Sequence, residues 1–341
     1  MYILENVPLR NYSTMRLGGT AAFLTEVNNR HELVEAAEWA ADKNVPIMVI
    51  GEGSNIIWDD DGYPGIVVVN KITGITSSGD YDTGVYITAA SGENWDNFVA
   101  HTTKQGLTGI EFLSLIPGTV GATPVQNVGA YGAEVSSTIT TIEAYDTVEK
   151  KLVILRGSDC QFGYRTSRFK TTDKGRYLIT AVTFFLQKGS PEGPFYGALE
   201  TYLREHNITD IDPGTIREAV IAIRSSKLPD PKLVANNGSF FANPIVAAGE
   251  LTQLLADYPT IPYWELGNER IKLSAAWLIE QAGFKDYHDE ETGMGTWPKQ
   301  PLVLVNEHAE TTAQLKAFRK KILDAVHIKF GVTLEQEPEL V

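Results

Sequence analysis

The 341-residue chain holds one cysteine, Cys160, which excludes a disulfide within the chain and fits a reducing compartment. Cys160 stands in no nucleophile pattern and is expected as a small buried apolar residue. Basic side chains are also scarce. The 29 Lys and Arg against 43 Asp and Glu leave a net charge of −14, which argues against a nucleic-acid or anionic-membrane surface, because phosphates demand a basic stripe. The six histidines are scattered singly. Even His288, in the acidic run Asp286 to Glu291, has no partner at ligand spacing, so no metal site is expected. No apolar run approaches the ~20 residues that span a bilayer, and Met1 to Asn6 lacks a basic segment leading into an apolar core. A cytoplasmic protein without membrane insertion or nucleic-acid partner is the expectation. Internal repeats and low-complexity tracts are missing too. So is any Gly-x-Gly-x-x-Gly opening a helix, which disfavours a Rossmann domain.

The length favours two or three domains with ample buried area. Residues 30 to 43 carry Leu33, Ala36, Ala37, Ala40 and Ala41 at helical spacing behind Asn28 and Asn29, candidate caps. Val45 to Ile50 and Ile66 to Val69 read as buried strands around a glycine loop, making a small α/β unit. From Val85 the chain turns to glycine-punctuated strands, Tyr86 to Ala89, Thr138 to Tyr145, Lys151 to Leu155 and Tyr177 to Leu186. With one helix at Trp95 to Gln105, this predicts a mainly antiparallel α+β domain. Beyond a breaker and hinge at Pro229 and Pro231 lie helices near Ala247 to Tyr258, Ser274 to Ala282 and Thr311 to Phe330.

Three local patterns carry chemistry. Gly51-Glu52-Gly53-Ser54-Asn55 follows a strand, and Gly118-Thr119-Val120-Gly121 is a second glycine loop. Either can present backbone N–H groups to a diphosphate, and either is equally ordinary as a turn. The third is Asn236-Asn237-Gly238-Ser239-Phe240-Phe241-Ala242-Asn243-Pro244. It puts a lone serine in an apolar segment with no adjacent histidine, a placement better suited to giving a proton than to attacking a carbonyl. A turn or cap serine is the plain alternative.

The serine segment, preceded by Ser226-Lys227-Leu228-Pro229-Asp230-Pro231, closely resembles that of the UDP-N-acetylenolpyruvoylglucosamine reductase family. The resemblance extends over nearly the whole chain in the family's order: Asn11 to Gly19, Gly51 to Asn55, Ile116 to Gly132, Phe162-Gly163-Tyr164-Arg165 and Leu334-Glu335-Gln336-Glu337. It implies a vanillyl-alcohol-oxidase-like, two-part FAD-binding fold of class α+β. Its small α/β subdomain would take residues 1–70 and its mainly antiparallel α+β subdomain residues 71–225. A C-terminal α+β substrate-binding domain would take 226–332, with strand 333–341 returning to the active site.

The resemblance implies non-covalent FAD, NADPH as hydride donor and a UDP-sugar substrate, in a protein expected to be a monomer. It assigns Gly51, Glu52, Gly53, Ser54 and Asn55 to the FAD phosphates. Pro117, Gly118, Thr119, Gly121, Asn127, Gly129 and Tyr131 would lie near the flavin. It makes Ser239 the proton donor and Arg165 the clamp on the substrate carboxylate, with Tyr164 buttressing the arginine. Glu337 is the carboxylate acid partner by ungapped register from Phe330, although Glu335 and Glu339 lie on the same side of an extended strand. Lys227, Asn243 and Gln300 match substrate contacts, and Tyr196 the tyrosine of a loop that closes over the diphosphate. The flavin loops alone would equally fit an FAD-linked sugar or alcohol oxidase. A non-catalytic nucleotide-sugar binder is the reading from another class, and an inert binder has no need of flavin loops.

Overall fold

Asn29 starts the first helix, Arg30–Lys43, by accepting the Glu32 N–H at 3.0 Å. Glu32 reciprocates by taking the Asn28 N–H at 2.7 Å. Asn44, at φ 54°, closes the other end in the left-handed region. The Val45 N–H is still spent on Ala40 O and Pro46 has no donor, so the following strand opens at Ile47 rather than Val45. Leu33, Ala36, Ala37 and Ala40 form the buried face of the helix.

The computed structural model describes residues 1–79 and 82–341. They divide into two units: Met1–Val7, Ala21–Gly53 and Pro64–Ser226 form the first, and Pro8–Thr20, Ser54–Tyr63 and Lys227–Val341 the second.

In the first unit, one sheet runs in the order Leu4–Pro8, Thr20–Val27, Tyr63–Asn70, Ile47–Ile50. Its last two strands are parallel, and residues 51–62, which join them, carry the first glycine loop and no helix. With the first helix they build the small α/β part, whose core holds Val27, Leu33, Ala36, Ile66 and Val68. The larger part is antiparallel, in the order Lys151–Arg156, Ile139–Asp146, Tyr177–Lys188, Gly84–Ala90, Ile75–Ser78. Helix Trp95–Thr103, capped by Asn94, sets Trp95 and Phe98 against Phe184 at ring-centroid distances of 6.0 and 5.1 Å. The expected antiparallel α+β organisation is therefore present.

Two helices depart from the expectation of strands with little helix between: Gly197–Glu205 and Pro213–Lys227. Both obey helical spacing. Leu199 and Leu203 are four apart, and Ile216, Ala219, Val220 and Ile223 form one face behind a proline at the first helical position. Together they close a separate small core with Phe112, Tyr131 and Phe195.

In the second unit, strands Ala235–Ser239, Gln300–Asn306, Met294–Trp297 and His288–Asp289 form a sheet in that order. A smaller sheet orders Ile245–Ala247, Arg270–Leu273 and Tyr263–Glu265. Helices Ala248–Asp257, Ala275–Gln281 and Thr312–Phe330 complete this α+β part. Its core joins Met15, Leu17 and Ile57 to Phe240, Phe241 and Phe318, so residues from early in the chain are structural members of the C-terminal half. The last strand, Glu339–Leu340, pairs in parallel with Ile56–Ile57.

Candidate active site

The first unit holds Gly51 to Gly53 of the first glycine loop and the whole of the second, whereas Ser54 and Asn55 belong to the second unit. A Cβ built on Gly51 would lie 2.4 Å from Thr119 Oγ1, so the two loops touch through an absent side chain. Glu52 fastens them. Its Oε1 accepts from Asn94 Nδ2 at 2.7 Å and its Oε2 from the Gly118 N–H at 3.0 Å. Gly53 and Thr119 are both buried, and among the described residues their main-chain N–H groups have no acceptor. Buried N–H groups left unpaired are costly unless an anion takes them. Gly121 is equally crowded, its Cβ position lying 2.5 Å from Ser91 Cβ. Pro117 completes this loop.

Asn127 is fully buried, and its amide is held by protein. Nδ2 donates to Glu134 Oε2 at 2.9 Å and Gly163 O at 3.0 Å, while Oδ1 accepts from the Ser136 N–H. Its contribution is thus to tie the 127–136 segment to the turn that carries Tyr164 and Arg165. Gly163 and Thr166 exchange both backbone hydrogen bonds across that turn. Arg165 sits in it at φ 54°, a conformation costing a non-glycine residue about 1–2 kcal/mol. Such strain is retained where an orientation matters. The guanidinium donates to Gly129 O at 2.7 Å and lies 5.1 Å from the Tyr164 ring centroid. Three sequence candidates therefore meet at one point.

Tyr131 opens the two-residue hairpin loop between Gly129–Ala130 and Ala133–Glu134, and its ring stands edge-on to Tyr196 at 5.9 Å. Burial raises the Tyr131 phenol, and Arg224 opposes the rise. Burial likewise lowers the Arg224 guanidinium, with Tyr131 and Asp96 opposing. Arg224 donates to Leu115 O at 3.3 Å, and Leu115 N–H donates to Asp96. Asp96 in turn receives both arms of Arg217 at 2.6 and 2.8 Å. Burial alone would raise the Asp96 carboxyl, but these donors hold it below the usual carboxylate range. Sequence reasoning did not single out Asn94, Asp96 or Arg217. Asn94 was legible only as a residue placed to cap a helix, and nothing local tells that Asp96 and Arg217, 121 positions apart, form a pair.

The second unit holds the serine segment. Asn236 pairs with Val305 and Ser239 with Val303, so the strand carries one residue more than its partner. This β-bulge is built from Gly238, at φ +69°, whose N–H is taken by Asn236 Oδ1 at 2.8 Å. Asn237 anchors the bulge by donating to Thr14 Oγ1 at 3.1 Å and Ser54 O at 3.2 Å. Phe240 and Phe241 follow, each 1% exposed and in edge contact at 5.2 Å. Ser239 is thereby fixed half-buried, and among the described residues its hydroxyl makes no hydrogen bond.

The chain end runs alongside. Glu335 O accepts the Ala242 N–H at 2.9 Å, and the Glu337 N–H donates to Phe240 O at 3.0 Å. Glu337 is consequently a backbone neighbour of the residue next to Ser239. Asn55 binds the same stretch from its other side. Its Nδ2 reaches Glu337 O at 3.5 Å, and its carbonyl accepts the Glu339 N–H at 3.0 Å. Glu335 is exposed, whereas Glu337 and Glu339 are half-buried. Asn243 spends its carbonyl on the Ala275 N–H at 2.9 Å, which leaves its NH₂ for another acceptor. Gln300 pairs with Trp297 at the start of the strand that carries Val303. Lys227 ends its helix exposed, with no partner among the described residues.

Comparison with known proteins identifies residues 21–151 as an FAD binding domain, which makes the chain a flavoprotein. Residues 230–341 match the C-terminal domain of UDP-N-acetylenolpyruvoylglucosamine reductase. The chain is 39% identical to the reductase of that name from Chromobacterium violaceum, over 98% of this chain and 97% of that one. It is 42% identical to the Alcanivorax borkumensis reductase over 87% and 84%. The crystal structure of the Thermus caldophilus reductase superposes with a TM-score of 0.67 at 20% identity, covering 99% of both chains. The chain belongs to the UDP-N-acetylenolpyruvoylglucosamine reductase family. The unpaired N–H groups of Gly53 and Thr119, and a Gly51 with no space for a Cβ, fit the pyrophosphate of FAD. No helix among the described residues is long and apolar enough to cross a membrane.

Proposed function

We propose that this protein reduces UDP-N-acetylglucosamine enolpyruvate to UDP-N-acetylmuramate with NADPH, as an FAD-dependent, monomeric, cytoplasmic enzyme of peptidoglycan precursor synthesis. The observation that carries the reading is Ser239, a half-buried hydroxyl without a partner among the described residues, fixed by a bulge in a segment matching the family's. FAD held by the two glycine loops would supply the hydride, drawn from NADPH, that the terminal carbon of the enolpyruvyl double bond needs.

The protein's own residues do the rest. Arg165, oriented by Gly129 O and Tyr164, binds the substrate carboxylate as charge grows there. Ser239 gives its proton to the carbon beside that carboxylate, so that hydride and proton together saturate the double bond and leave a lactyl ether. A serine is a weak acid, yet an enolate is basic enough to take its proton when the two are held in contact. Glu337 serves as acid partner at the same carboxylate. Lys227, the Asn243 NH₂, Gln300 and Tyr196 hold the nucleotide-sugar, with Lys227 supplying a local positive charge in a chain of net charge −14. Glu52 and Asn127 position the flavin loops without touching substrate.

Anaerobic mixing with NADPH, then with the enolpyruvyl substrate, tests the reading. Bleaching of the flavin followed by recovery of its colour on substrate addition is expected. Rapid reoxidation by air, with none by substrate, would instead indicate an oxidase.

A further inference from the structure

Away from the residues assigned above, the helix Arg30–Lys43 ends on a charge pattern that its own physics disfavours. Glu38 and Asp42 stand four residues apart on one face, where like charges repel. Asp42 also lies in the last turn, beside Lys43, where the dipole is negative and favours cations. Both are exposed, and neither has an ion-pair or hydrogen-bond partner among the described residues. Two unpaired carboxylates on one helix face, one of them in the last turn, are a local conflict of the kind found at functional positions.

Both border a groove of about 410 Å³ between the helix end and the hairpin turn after strand Ile139–Asp146. Its apolar lining comes from Ala37, Ala40, Val45 and Ile47. Tyr145 lines it too. That residue is only 4% exposed, its ring belongs to the core under the helix, and its hydroxyl has no partner among the described residues. Burial, with Glu38 adding, keeps the phenol above its usual value and therefore neutral. Lys150 lines the groove as well, with no ion-pair partner among the described residues.

We propose that this groove binds a small organic monocation, a protonated amine on an apolar body. The ammonium group is held by Glu38, Asp42 and the negative end of the helix, and the Tyr145 oxygen accepts a hydrogen bond from it. The alanines, Val45 and Ile47 take the apolar part. Lys150 limits the ligand to one positive charge, because a second cationic end would meet it. Such a ligand is opposite in charge to a UDP-sugar or a pyridine nucleotide, so the groove adds a chemistry that the flavin and serine segments do not have.

Calorimetric titration of the intact protein with phenethylammonium chloride tests this, with 2-phenylethanol as neutral isostere and 1,4-diaminobutane as dication. Saturable binding of the monocation at about 1 mM or tighter is expected, with both controls at least roughly tenfold weaker. The exposed, isosteric double variant Glu38→Gln/Asp42→Asn should fold normally and lose at least roughly tenfold in affinity. Tyr145→Phe should weaken the ammonium and leave the alcohol unchanged. Equal binding of the neutral alcohol, absence of saturable binding, or full affinity in the double variant would each overturn the assignment.

Discussion

The Glu52 carboxylate takes the Gly118 N–H at 3.0 Å, across 66 residues of sequence, and so holds the second glycine loop to the first. Its other oxygen is occupied by Asn94 Nδ2 at 2.7 Å, and Asn94 Oδ1 is already committed to the Asn97 N–H at 3.0 Å. An amide at position 52 would therefore point its NH₂ at one donor or the other. Neither partner can turn around to accept it. Glu52→Gln should leave one contact repulsive at a cost of about 1–3 kcal/mol, felt mainly where the loops must be in register. Titration of apoprotein with FAD, followed by flavin fluorescence, should show affinity reduced roughly tenfold or more, with little change in melting temperature of the apoprotein. Unchanged FAD affinity would remove Glu52 from any role in the cradle.

Ser239→Ala deletes a hydroxyl that no described protein group uses, so folding and FAD content should be preserved. Bleaching by NADPH should stay close to normal. Reoxidation by the enolpyruvyl substrate should slow by about 10²–10⁴-fold, the range for loss of a general acid. Rapid-mixing absorbance at the flavin band separates the two half-reactions. A wild-type second half-reaction would exclude Ser239 from proton transfer.

Much of this arrangement was legible because it is local. The caps at Asn29 and Thr311, the buried alternation of Tyr177–Lys188 and the proline break after Lys227 are all short-range signals. The bulge at Gly238 was half legible: glycine marked an unusual backbone, but only pairing with Val303 and Val305 shows the extra residue. The Glu52 clamp and the Asp96–Arg217 pair were not legible, because each joins groups far apart in sequence: Glu52 was expected at the FAD phosphates through the resemblance rather than on the Gly118 N–H, and nothing marked Asp96 and Arg217 as partners. The helix Pro213–Lys227 was legible and still missed. Its proline stands at the one helical position where a missing N–H costs nothing.

Asp146 fixes the pH behaviour of the antiparallel sheet. Arg176 binds its carboxylate through Nε at 3.0 and 3.1 Å and Nη2 at 2.7 Å, at the paired ends of strands Ile139–Asp146 and Tyr177–Lys188. The hydrogen bonds from Arg176, opposed by burial, lower the carboxyl to about 2. Because the folded value lies below the unfolded value of ~3.9, the contribution is fully present above pH ~4 and is lost as pH falls towards about 2. Asp146→Asn should accordingly lower the melting temperature at pH 7, and the gap from the wild type should close between pH 4 and 2. A gap that stays constant over that window would mean the pair carries no net stability.

The terminal carboxylates pose the sharpest test, because Glu335, Glu337 and Glu339 are equivalent by alternation yet differ in surroundings. Glu335 is exposed, and its backbone carbonyl is tied to Ala242. Glu337 is half-buried, with its N–H on Phe240 O and its carbonyl within reach of Asn55. Pro338 is buried and cannot donate, which ends this pairing and leaves Glu339 to the separate parallel bridge with Ile56. Position 337 is thus the last whose backbone is registered directly against the serine segment. Glu337→Gln, which keeps shape and removes the ionisable group, should slow substrate-driven reoxidation far more than Glu335→Gln or Glu339→Gln, while all three retain FAD. Were Glu339→Gln the crippled variant, the acid partner would belong to the Ile56 bridge, and Glu337 would be structural.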